Sequence, residues 1–192
     1  LTPALLAVLA TAVAASLVLN GTDVSIVASL KGWGQEASLG WMMALWSAGS
    51  VLGGLVYGAG RRTVHPLALA LTLAVLTVPA AFVHSPLLLA AAVFVAGLPC
   101  APALSSITAT LARLVPEERR GEAMGWQGTA MTIGGSLGAP LCGRMIDADG
   151  PGAGFLTAAV VGGLLAAGGL VVLRVSRDRS VGVTSLETAA VS

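Results

Sequence analysis

A carboxylate inside an apolar stretch is the group in this chain best placed to do chemistry. Asp23 follows Ser16 and Asn20 at i, i+4, i+7 spacing and leads on to Val27 at i+11, so on a helix the four residues share one face. Low dielectric favours the neutral form of a carboxyl group. An acid at such depth is therefore suited to taking up and releasing protons, or to gripping a substrate. The competing reading makes Asn20-Gly21-Thr22-Asp23 a helix break, with Asp23 capping the restarted helix. Ser105 and Thr108, flanked by Ala101 and Ala112, repeat the one-face spacing further along, and Gln127 and Thr132 follow in a later segment. Ser16, Asn20, Ser105, Thr108, Gln127 and Thr132 are thus candidates to line a cavity. The plainer alternative is that they hydrogen-bond between helices or, for Ser and Thr, to their own i−4 carbonyls.

Other chemistries fail on their missing partners. Gly134-x-Ser136-x-Gly138 matches a nucleophile pattern, but a serine nucleophile needs a base within reach. His65 and His84 both fall in connectors beside or near prolines. No G-x-x-x-x-G-K-[ST] phosphate loop occurs. Cys100 and Cys142 lie in separate apolar stretches, without metal-ligand spacing and without a disulfide framework. No enzyme, cofactor or metal is expected.

The elements that must position these residues are set by composition. Of 192 residues, 56% are hydrophobic and 10% charged, with a mean hydropathy of +0.89. Ordinary soluble domains carry about 25% charged residues, so so few charges cannot clothe a water-facing surface. A net charge of +1 offers no basic patch for nucleic acid. An integral membrane protein in a lipid bilayer remains. Six apolar segments follow one another: Leu5–Leu30, Ser38–Gly58, Leu67–Val83, Leu87–Leu114, Ala123–Met145 and Phe155–Leu173. Most can cross about 30 Å of hydrocarbon as helices, the third being the shortest. They lack the alternation of a membrane barrel. Residues 1–174 are read as one bundle and 175–192 as a polar, disordered cytoplasmic tail. The chain begins at Leu1 without a signal-peptide pattern, and the start is read as a cut through a longer protein.

Orientation follows from Lys and Arg. Arg61, Arg62, Arg113, Arg119, Arg120, Arg174, Arg177 and Arg179 lie on one side, Lys31 and Arg144 on the other. The first side, with the C-terminus, is expected in the cytoplasm and the whole in the plasma (inner) membrane. Arg144 and Asp147 are expected to pair, and Trp33 and Trp41 to anchor at the outer interface.

Small residues mark helix contacts. The fifth segment carries Gly125, Gly128, Thr132, Gly135, Ala139 and Gly143 at steps of three or four, and the second carries Gly49-x-x-x-Gly53 and Gly54-x-x-x-Gly58. Segments one, two, four and five then read as interior, three and six as peripheral. That rhythm implies two three-helix repeats. Gly53-Gly54-Leu55-Val56-Tyr57-Gly58 and Gly138-Ala139-Pro140-Leu141-Cys142-Gly143 occupy equivalent places in them.

These residues resemble the C-terminal half of a major facilitator superfamily transporter. Leu114-Val115-Pro116-Glu117-Glu118-Arg119-Arg120-Gly121-Glu122-Ala123-Met124-Gly125 is similar to the loop between the family's tenth and eleventh helices. Gly134 to Gly143 resembles the Gly/Pro-rich eleventh helix, which gives Gly134, Gly138, Pro140 and Gly143 packing or gating roles. Gly53 to Arg62 resembles the second copy of a Gly-Asp-Arg-Gly-Arg-Arg motif, with Tyr57 where the motif has Asp. The resemblance, strongest to actinobacterial efflux-type permeases, implies an all-α membrane fold, half of a twelve-helix bundle. It also implies alternating access, and loop charges Arg61, Arg62, Arg119 and Arg120 able to pair with carboxylates of the other half. The expected partners are an N-terminal six-helix half or a second copy, a small-molecule substrate and protons. Met42, Met43, Trp46 and Met131 suggest an apolar cavity, which favours proton-coupled efflux of an amphipathic compound. Proton-linked uptake of a sugar or metabolite is the alternative. A non-transporting scaffold or truncated remnant is the reading from another class.

Overall fold

The computed structural model describes residues 2–60 and 64–190, with side chains through residue 169 and at Val171. Seven α-helices make up the described chain, which contains no strand: α1 (Pro3–Gly32), α2 (Leu39–Ala59), α3 (Pro66–Thr77), α4 (Pro86–Gly97), α5 (Cys100–Leu114), α6 (Arg120–Asp149) and α7 (Pro151–Ala190). A bilayer supplies no hydrogen bonds to backbone, so helices are the form in which such apolar segments can cross it. Proline opens α1, α3, α4 and α7, where a missing N–H costs nothing. Thr2 and Ser85 cap α1 and α4, each side-chain oxygen accepting a backbone N–H at 3.4 Å. Gly150, at φ +85°, takes a left-handed turn and joins α6 to α7 in a single step.

The fourth apolar segment is split. Pro99 separates α4 from α5, and the two act as one broken span, so the bundle has six spans in all. The third segment is α-helical only to Thr77 and tightens to a 3-10 turn over Val78–Phe82, where Pro79 has no N–H to continue the α pattern. Four helical stretches are long and apolar enough to cross a membrane by themselves: Pro3–Gly32, Glu36–Ala59, Pro86–Leu114 and Pro151–Gly169. α6 has the length but, with its many glycines and polar residues, not the hydropathy. The backbone of α7 runs on as helix through 175–190, where the polar tail was expected.

Packing sorts the spans into two layers. Across the front, the order is α2, α4–α5, α1, α6, and α3 packs on α7 behind them. α1 runs along α6 and α7, and in matching fashion the broken α4–α5 runs along α2 and α3. Each three-helix repeat thus lends its first helix to the other repeat's second and third. α7 is less peripheral than its plain sequence suggested, because α1 lies against it for most of its membrane length. Conversely α2, read as interior, leaves Trp41, Val51, Leu55 and Val56 exposed.

Two glycine pairs explain the seams. A Cβ on Gly49 or Gly53 of α2 would collide with the carbonyl oxygens of Phe94 and Leu98. A Cβ on Gly134 or Gly138 of α6 would meet those of Val13 and Leu17 of α1. The spacing is four residues on every helix involved. Gly53 and Gly138, which head the two similar hexapeptides, fall in the same structural place. The actual seam on α6 is therefore not the expected Gly125–Gly128–Gly143 stripe. Those three glycines meet nothing within 4 Å. The buried face is Ala123, Gln127, Ala130, Gly134, Gly138 and Cys142, which a step-of-four count also permits.

Overpacking a filled contact costs about 1–3 kcal/mol. Gly134→Val and Gly53→Val should each lower unfolding stability in detergent by at least that amount. Gly125→Ala and Gly128→Ala, in open helix, should raise it slightly, by about 0.5–1 kcal/mol. Equal melting behaviour in all four variants would refute the seam assignment.

Candidate functional site

The apolar core falls into two main clusters at different depths. One gathers Leu5, Val8, Ala12, Val18, Leu73, Ile107 and Leu111. The other gathers Ile26, Leu30, Met42, Trp46, Leu89, Val93 and Phe155. Between Val18 and Ile26 on α1, and between Ala96 and Ile107 on α4–α5, lies a middle level with a different chemistry. It holds Asn20, Asp23, the Pro99 break and Cys100.

Asp23 stands on the uncovered side of α1, and like Val27 it is exposed. The helix runs unbroken through it, so the reading of Asp23 as an internal cap is not what forms. Its carboxylate makes no ion pair among the described residues. Across the layer, Cys100 is buried at the start of α5, directly after the Pro99 break. Sequence reasoning did not set Cys100 at the level of Asp23. The available signal was Pro99, where a helix kink was expected, directly before it.

The remaining members of the polar stripe divide. Ser16 is buried and donates to the Met131 carbonyl at 2.7 Å, so it bridges α1 to α6 and does not line a cavity. Asn20 sits at the edge of that bridge. Its amide donates to the Ser16 carbonyl at 2.9 Å, and its side chain lies against Gly135. Ser105 and Thr132 are exposed and bond to the carbonyls of Ala101 and Gly128 at 2.7 and 2.9 Å. Thr108 and Gln127 meet across α5 and α6, the amide donating to the hydroxyl at 2.8 Å. Gln127 is buried in this link and does not hang in an inner mouth.

The apolar set also needs correcting. Met42 and Trp46 are buried in the second core cluster, and Met43 and Met131 are partly buried against the two clusters. These side chains hold the bundle together. Pro140 is exposed and Gly143 has open space around it, so neither packs in the α1–α6 seam. Arg61 and Arg62 lie outside the described residues. Arg119 is exposed. Arg120 reaches the Ala112 carbonyl at 3.3 Å and pairs loosely with Glu117 at 3.8 Å. No Arg144–Asp147 pair forms among the described residues, and both side chains are exposed on α6. Ser136 of the G-x-S-x-G pattern is exposed in mid-helix on α6, whereas His65 opens α3.

The uncovered front is thus a mainly apolar wall interrupted by hydroxyls and one carboxylate. Such a wall can hold an amphipathic molecule and exchange a proton beside it. Residues 4–191 match the family model described as Major Facilitator Superfamily. Comparison with curated proteins gives no match.

The Thr108–Gln127 link sets a test of the α5–α6 geometry. In a double-mutant cycle with Thr108→Val and Gln127→Leu, the coupling should be about 0.6 kcal/mol, the usual scale for interhelical hydrogen bonds in membranes. Strict additivity of the two variants in unfolding assays would contradict the contact.

Proposed function

Because this chain belongs to the major facilitator superfamily, a family of secondary transporters, we propose that it exports a small amphipathic compound in exchange for protons. The observation that carries this reading is Asp23, an acid at mid-depth on a mainly apolar, uncovered helix face, with no ion-pair partner among the described residues. An ionisable group at that depth is costly unless it faces protein or a water-filled cavity, and such groups mark substrate and proton pathways. In the proposed mechanism the front layer forms one wall of a cavity. A second six-helix unit, an N-terminal half or another copy, forms the other. Rocking of the two units opens the cavity to each side in turn. Proton binding at Asp23 removes the charge that would otherwise resist closure over a low-dielectric wall. Proton release on the inner side restores it.

Exposed aliphatic side chains on the front layer, not the buried methionines, favour an apolar substrate. Leu6 and Val27 of α1, Leu45 and Leu52 of α2, and Ile133 and Leu137 of α6 are all exposed on front-layer helices. The eight-to-two asymmetry of basic residues supports an orientation with the arginine-bearing end in the cytoplasm, as expected for a protein of the inner membrane.

The test is flux in proteoliposomes containing the full protein, driven by an imposed pH gradient. Asp23→Asn should abolish gradient-driven transport while leaving expression and substrate-exchange binding intact, and Asp23→Glu should retain part of it. Undiminished flux in Asp23→Asn would remove the coupling role.

A further inference from the structure

At the arginine-bearing end of the bundle, α2, α3 and α5 surround a pocket of about 200 Å³. α2 and α3 each pack on α5 but not along each other, which leaves the gap. Tyr57 reaches it from the last turn of α2, His65 from the start of α3, and Thr110 and Arg113 from the end of α5. Each of these four side chains carries a group that can donate, and among the described residues no carboxylate lines the space. Arg113 forms no ion pair among the described residues. His65 caps α3, its Nδ1 accepting the Leu67 N–H at 3.4 Å. In the neutral ring that acceptance leaves the proton on Nε2, free to donate. Ser106 is spoken for, since its hydroxyl donates to the Val64 carbonyl at 2.9 Å and fixes the approach to α3.

One guanidinium, one ring N–H and two hydroxyls around a small space are the donor set of a phosphate site. Its level in the bilayer names the source. Tyr57 lies two residues from the end of α2 and Arg113 one residue from the end of α5, which is headgroup height for helices that span. Val56 and Val64 are exposed beside it. A lipid has acyl chains to cover that apolar surface, and a free phosphate ion does not. We propose that this pocket binds the phosphate of an anionic phospholipid headgroup, a basic interhelical pocket of the kind that recognises lipid. The pocket is separate from the Asp23 wall and does not depend on the transport reading.

The full-length protein in detergent, titrated with phosphatidylglycerol and followed by native mass spectrometry, tests it. One saturable lipid adduct is expected. Arg113→Gln should weaken it about five- to ten-fold, the scale of one basic residue at a membrane surface, and Arg113→Lys should recover most of that loss. Arg144→Gln, at the opposite end, should bind as the unaltered protein does. Should Arg113→Gln not fold, Tyr57→Phe with Thr110→Val should still weaken the adduct. Unchanged binding in the pocket variants would overturn the proposal, as would an equal loss in Arg144→Gln. Displacement of the lipid by inorganic phosphate would assign the site to the free ion instead.

Discussion

Two helix backbones can touch only where neither interposes a side chain, and this bundle depends on two such places. In hydrocarbon, apolar side chains gain nothing by leaving lipid for protein, so association rests on close packing and on hydrogen bonds between helices. Gly134 and Gly138 let α6 settle onto the Val13 and Leu17 carbonyls of α1, and Gly49 and Gly53 let α2 settle onto Phe94 and Leu98. The Ser16–Met131 hydrogen bond lies in the first of these seams. That closeness makes the two repeats one unit, since in both cases the glycine helix and its partner come from different repeats.

From this constraint the position of the candidate site follows. The seams fix α6 to α1 and α2 to α4–α5, and α1 and α5 meet in the centre of the front layer, with α2 and α6 on the flanks and α3 and α7 behind. The Pro99 break and Asp23 are then set at one depth between two apolar clusters. A carboxylate in that position has rigid apolar packing above and below it. It also has an open side, where a substrate or a second unit can approach.

Much of this architecture was legible in the residues. Continuous apolar runs located the spans, Pro99 marked the broken one, and the Gly53 and Gly138 hexapeptides marked equivalent places in the repeats. The site was legible only in part, for a physical reason. Periodicity tells which side chains share a helix face but not what covers that face. Ser16 and Asp23 share a stripe, yet a neighbouring helix lies over the first and not the second. Met42 and Trp46 look equally suited to cavity and core, and only the crossing of α2 over α4 puts them in the core. On α6, glycines are so frequent that several helical stripes fit, and choosing among them requires the partner carbonyls of α1.

The low hydropathy of α6 bears on how the chain is made. A helix inserts alone into a bilayer when its residues, summed, prefer lipid, and α6 trades that preference for the small and polar residues its contacts use. Its seam partner, α1, is the first helix of the described chain and has long since been synthesised when α6 emerges from the ribosome. A segment of that composition gains from having its partner in place, and the glycines that let α6 lie against α1 are among the residues that lower its preference for lipid.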